Sequence, residues 1–305
     1  MDQCCESSWR RAAVVIQKEN PMNQKYRWPN EAKAAATISV LLEVWGDGKW
    51  PSYFPRTTAL KPGMHDLSAS RWSSFGIKEG AYRLLAALER NKLRATFFMN
   101  AIVAEREPKL LKKVLDAGHV IAAHGYSQDQ FLMSMTRDEQ HEIIKRCVSL
   151  FKSVTGKHPE GWVTSVYSWT SDTHQLLAQE GFKWHADALD SSFPARETYA
   201  NGNIIALPWC DFVDNRVLRA SPVDYSEAYE SVIKYTCENE PLGLINVGMH
   251  CHFGGRPLMG GSIEKVLGCL AKTQGIWNAT HGEIVTWFEN QNVDALDKAS
   301  LFGVL

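Results

Sequence analysis

The chain has 305 residues, 45% apolar and 22% charged, and its 33 Lys and Arg against 34 Asp and Glu leave a formal net charge of −1. With both signs interspersed, no basic face for nucleic acid and no charged tail is expected. No run approaches the roughly 18 apolar residues of a spanning helix, which argues against a membrane protein.

Seven cysteines, an odd number without a CxxC pair, suit reduced thiols better than a disulfide frame or a zinc knuckle. Met1 to Gln17 has only a brief apolar run at Ala12 to Ile16 and no secretory signal. The expectation is a cytoplasmic protein. Residues 1–30, polar and punctuated by Pro21 and Pro29, read as an N-terminal arm that precedes one domain over 31–305.

From Ala34 the run AAATISVLLEV is β-branched and apolar, and it ends in the turn Trp45-Gly46-Asp47-Gly48. Lys49 to Ser74 holds four aromatics and three prolines without a period, the character of a lid or substrate wall. A helix is predicted over 77–91, a strand over 93–99, a helix over 105–117 closed by Gly118, and a buried strand over 120–123 that stops at His124. Thr136-Arg137-Asp138-Glu139 is a capping box opening a helix that ends at Gly156.

Strands follow at 160–166, 181–188, 203–208, 241–249 and 276–279, with helices at 171–179, 227–237, 261–271 and 282–290. Seven or eight β-then-α units point to a parallel α/β barrel, whose active sites lie at the carboxyl ends of the strands. Asp47, His124, Asp214, His250 and His252 would then converge on one rim. A carboxylate among imidazoles can bind a divalent metal, run acid/base chemistry, or both.

His250, whose imidazole titrates near neutral pH, is the candidate acid. Glu43 is a base or substrate contact if it faces inward. Asp211, Asp214 and Arg216 suit either an ion pair or a site, His185 and Asp187 form a further pair at a strand end, and Trp162, Tyr167 and Trp169 are aromatic walls. GxGxxG, P-loop, GxSxG and HExxH signatures are absent, which removes support for nucleotide cofactors, serine hydrolases and zincins.

The ordered set RWPN (27–30), WGDG (45–48), ATFFMN (95–100), GHVIAAHGYSQDQ (118–130), GW (161–162) and HxxFGGRP (250–257) resembles the polysaccharide deacetylase superfamily. The likeness is strongest to its allantoinase-like and cyclic-imide-hydrolase-like branch. The resemblance implies a distorted (β/α)7 barrel that hydrolyses a carbon–nitrogen bond other than a peptide bond, in a homo-oligomer, with a divalent metal expected to be zinc.

It matches Asp47 to a metal ligand or, without metal, to the activator of water, and Gly46 to the place of the family's usual base. His124 and Gln128 match the paired metal ligands, and His252 is a further candidate. Trp162 stands where the base-orienting arginine belongs, and His250 matches the acid. Arg256 would hold a substrate carbonyl or carboxylate, beside Trp162, Asp214 and Glu43. The leading expectation is a hydrolase of a small amide or cyclic amide. An amino-sugar N-deacetylase and a ligand-binding barrel without turnover are the alternatives.

Overall fold

The computed structural model describes residues 26–293 except 57, 59, 62, 211 and 292. Residues 1–25 of the expected arm, with Cys4 and Cys5, and Asp211 lie outside the described residues.

The elements run β1 (Ala34–Leu42), α1 (Leu67–Phe75), α2 (Ala81–Asn91), β2 (Thr96–Met99), α3 (Ile102–Arg106), α4 (Pro108–Asp116), β3 (Val120–Ala123), α5 (Arg137–Thr155) and β4 (Gly161–Trp162). They continue as α6 (Ser171–Gln179), β5 (Trp184–Ala188), β6 (Ala195–Tyr199), β7 (Gly202–Pro208), α7 (Pro222–Asn239), β8 (Gly243–His250), α8 (Pro257–Lys272), β9 (Ile276–Asn278) and α9 (His281–Gln291).

The strand order is β6-β7-β5-β4-β3-β2-β1-β8, with β9 also paired to β1. All pairings are parallel except that of β6 with β7. The expected distorted barrel is therefore present, and its distortion has a place. Between β7 and β8 the sheet is joined by a single bridge, Val213 to Gly248. A Cβ on Gly248 would come within 2.4 Å of Cys210 Sγ and 2.6 Å of Val213 Cγ1, so only glycine lets this seam close.

β1 is the central strand, and all nine of its residues are buried. Its alternate residues serve two cores. Ala34, Ala36, Ile38, Val40 and Leu42 join the layer between sheet and helices. Ala35 and Leu41 join Phe98, Ala122, Val163, Trp184, Ala186 and Leu207 in the barrel interior, closed at the amino ends of the strands by Trp28 and α9. Burying such side chains stabilises the fold by about 1.5–3 kcal/mol each.

The Thr136–Glu139 capping box forms, and Gly118 and Gly156 adopt the left-handed backbone expected after their helices. One expectation is corrected, and two features add to it. Pro108 splits the helix predicted over 105–117 into α3 and α4, because it starts a new helix at its own position. Thr170 caps α6. The antiparallel edge strand β6 has a mixed polar pattern, ARETY, that periodicity does not single out.

Candidate active site

Glu43 lies one residue past β1, in the same alternation as the interior-facing Ala35, Ser39 and Leu41, so its carboxylate enters the barrel mouth, where it is 4% exposed. Gln128 Nε2 donates to Glu43 Oε1 at 2.7 Å, and Tyr53 OH donates to Oε2 at 3.3 Å. His124 Nε2 and His250 Nε2 stand 3.5 and 3.6 Å from Oε1, and His252 Nδ1 stands 3.6 Å from Oε2.

Burial raises the Glu43 carboxyl, but the charge of His250, with His124 and His252 behind it, outweighs burial and holds it at about 2.

His250 ends β8 and is oriented by Asp214, which accepts from its Nδ1 at 2.5 Å and from its backbone N–H at 2.9 Å. Burial pulls this imidazole down, yet Glu43 and Asp214 together lift it to about 9. At neutral pH the mouth therefore pairs a carboxylate with an imidazolium.

His124 directs Nδ1 at the carbonyl of Val163, 2.9 Å away, which leaves its buried Nε2, 3.5 Å from Glu43 Oε1, without a hydrogen-bond partner. His252 Nε2 donates to the Tyr53 hydroxyl oxygen at 2.9 Å, and burial pushes its imidazole down to about 3. Asn100, at the end of β2, holds this floor together: its Nδ2 donates to the His124 carbonyl and, at 3.4 Å, to Gln128 Oε1.

These groups border a cavity of about 210 Å³ walled by Tyr53, Val166, Tyr167, Trp209 and Arg216.

Four expected site residues are placed elsewhere. Asp47 lies beyond the strand in a turn, its side chain 96% exposed and paired with Arg106 at 2.9 Å, so it does not converge with the histidines. Gly46 packs beside Asp129, whose Oδ1 accepts its N–H at 2.7 Å, and the acid at the mouth is Glu43, three residues earlier.

Trp162 alternates toward the helices, where it packs on Phe182 as plain core. Arg256 donates to the carbonyls of His252 and Trp72 and stacks on Phe75, which leaves it pinning the loop after β8. Asp214 acts on His250 and is fully buried behind it, away from any substrate.

Tyr53 and Asn100 are site residues that sequence reasoning did not single out. Asn100 at a strand end was the available signal, whereas Tyr53 lay in an aperiodic loop.

The metal suggested by the resemblance does not fit the residues present. Gln128 turns its N–H toward Glu43 and its oxygen toward Asn100, and a neutral amide oxygen is a weak ligand for zinc. Asp47 is at the surface, and the ligand atoms of Glu43, His124 and His250 do not all lie within 4.8 Å of one another. His124 and His252 each keep a buried ring nitrogen without a hydrogen-bond partner, which is too few ligands for a divalent ion.

Among the described residues, the group that meets that distance is His174, His185 and Glu197, outside the barrel mouth. There the two imidazoles are stacked at 3.7 Å and 17°, and near-parallel ring planes cannot both aim an in-plane lone pair at one ion.

Residues 75–185 match the family described as polysaccharide deacetylase. The chain is 32% identical to a peptidoglycan deacetylase of Helicobacter pylori over 119 residues, 39% of this chain and 40% of that protein. It is also 32% identical to a peptidoglycan deacetylase-like protein of Gibberella zeae over 146 residues, 43% of each. The matched stretches thus span less than half the length of these relatives.

Its fold is that of the Puue allantoinase, with a TM-score of 0.80 at 20% identity, covering 93% of this chain and 98% of that one. A probable polysaccharide deacetylase of Pseudomonas aeruginosa shares the fold as well, with a TM-score of 0.79 at 20% identity, covering 92% and 98%.

Proposed function

This chain carries a polysaccharide deacetylase domain, and on it we propose a hydrolase of a carbon–nitrogen bond, other than a peptide bond, in a small amide or cyclic amide. One observation carries the reading. A buried carboxylate and a buried imidazolium face each other at 3.6 Å across the mouth of a small cavity.

A water between Glu43 Oε1 and His124 Nε2 gives a hydrogen to each acceptor and turns its lone pair toward the cavity. As that oxygen bonds to the amide carbon, Glu43 takes the proton. As the carbon–nitrogen bond breaks, His250 Nε2 delivers its proton to the departing nitrogen, with Asp214 holding the ring. Tyr53 closes over Glu43 from the loop after β1.

Deacetylases of this family typically use a divalent metal. In this chain the acid/base pair performs both proton transfers, and no step is drawn through an ion. A volume of about 210 Å³ lies below the roughly 300–1,000 Å³ of drug-sized sites and suits one small ring better than a polymer segment.

The names of the 32%-identical relatives support a second reading, removal of an acetyl group from an amino sugar. A panel of primary amides, cyclic imides and ureides set beside N-acetylglucosamine and its oligomers separates the two. The proposal expects turnover confined to the small amides and lost in Glu43→Gln. Turnover of N-acetyl sugars alone, or full activity in Glu43→Gln, would overturn it.

A further inference from the structure

Arg216 sits on the same short 3-10 turn as Asp214, Asp214–Val217, and lines the cavity opposite Glu43. Arg216 lines this cavity together with Tyr167 and His250, and its positive charge works against the His250 imidazolium. Glu43 and Asp214 are both engaged with His250. Among the described residues Arg216 has no carboxylate in ion-pair reach.

Tyr167 is set in the same cavity wall by an unusual backbone: Val166 and Tyr167 have φ of 57° and 54°, the left-handed region that a β-branched residue avoids. Such strain persists where surrounding structure enforces it, often at ligand clamps. Arg256, the arginine that the resemblance assigns to substrate, is already used by two carbonyls.

We propose that Arg216 is the specificity residue of this site and pairs with a carboxylate of the substrate, which is therefore a small amide bearing an acid group. This rests on the hydrolase reading above. The acid end lies on the fork of Arg216 at the rim, and the amide nitrogen lies near His250 at the floor. A neutral amide of the same shape would leave the guanidinium without a counter-charge.

The test compares succinamate with succinamide, which differ only by carboxylate against amide. Binding is measured by titration calorimetry while ammonia release is followed in the same samples. Wild type is expected to prefer succinamate by about tenfold or more. Arg216→Ala should lose the preference while keeping its affinity for succinamide, and Arg216→Lys should keep part of it. Arg216 is exposed, so its variants should melt with wild type.

Equal binding of the two probes, binding of neither, or an unchanged preference in Arg216→Ala overturns the assignment. Preference without ammonia release would retain the anion subsite and count against the hydrolase. Ammonia release from both alike would do the reverse.

Discussion

Two histidine clusters lie in this molecule, and the more conspicuous one is the less suited to catalysis. His174, His185, Asp187 and Glu197 border a cavity of about 780 Å³ between β5, α6 and the β6 edge, whereas the barrel-mouth group borders about 210 Å³.

At the edge every imidazole nitrogen is occupied. His174 contacts Asp187 at 3.3 Å and Glu197 at 3.4 Å, and His185 contacts Glu197 at 3.1 Å and the Asp187 backbone N–H at 3.2 Å. At the mouth, His124 Nε2 and His252 Nδ1 are buried without a hydrogen-bond partner, each no nearer than 3.5 Å to the Glu43 carboxylate. A saturated network ties elements together, while unmet lone pairs around a carboxylate await something to act on.

The sharpest way to break this contrast is to remove one charged group from each cluster. Glu43→Gln should lower kcat by about 10²–10⁴-fold, the range of a lost general base, measured where circular dichroism shows the variant folded. If kcat survives, the mouth is not the catalytic centre.

His174→Ala should do the opposite, leaving kcat within error and lowering stability by about 3 kcal/mol. That is the low end for a broken buried pair, because Thr164 still bonds Asp187. A matched loss of kcat in His174→Ala would merge the two clusters functionally.

pH separates them again within one window. Catalysis needs the His250 proton, so kcat should fall as pH rises through about 9, and Asp214→Asn should move that limb downward. At the edge, burial pulls His174 down but Asp187 and Glu197 lift it to about 9. A raised imidazole contributes stability that is fully present below its ordinary 6.5 and is lost as pH rises through about 9. Wild-type stability should therefore decline across that interval, with His250 contributing in the same sense, and His174→Ala should remove the His174 share of the decline. A flat wild-type curve would remove His174 from the ion network.

The same strand alternation explains what could be read in the sequence and what could not. The strand–loop order placed His124, His250 and Asp214 together correctly, because buried parallel strands end in polar loops whatever their exact register. Register decided the rest. Glu43 is inward because it continues the odd-numbered face of β1, and Asp47 would share that face only if the strand ran on. Instead the strand ends at Leu42, and the chain turns outward. Trp162 and His185 likewise belong to outward faces, which adjacent Val163 and Trp184 reveal only once their packing is known. Arg216 and Arg256 both follow strands into loops, and only the contacts of each show which one is free for a ligand.

The smallest effect completes the contrast between what motif position suggests and what geometry delivers. The turn carrying Asp47 is at the surface, where its pair with Arg106 is screened by solvent and contributes little. Asp47→Ala should leave kcat and the urea midpoint within experimental error, and prolonged dialysis against a chelator should leave kcat unchanged. Loss of activity in both experiments, restored by one divalent ion in the dialysed wild type but not in Asp47→Ala, would mean that the loop folds inward during turnover and supplies a ligand beside His124. Loss in the variant alone would give Asp47 a role independent of any ion, and neither result follows from a carboxylate that stands 96% in solvent.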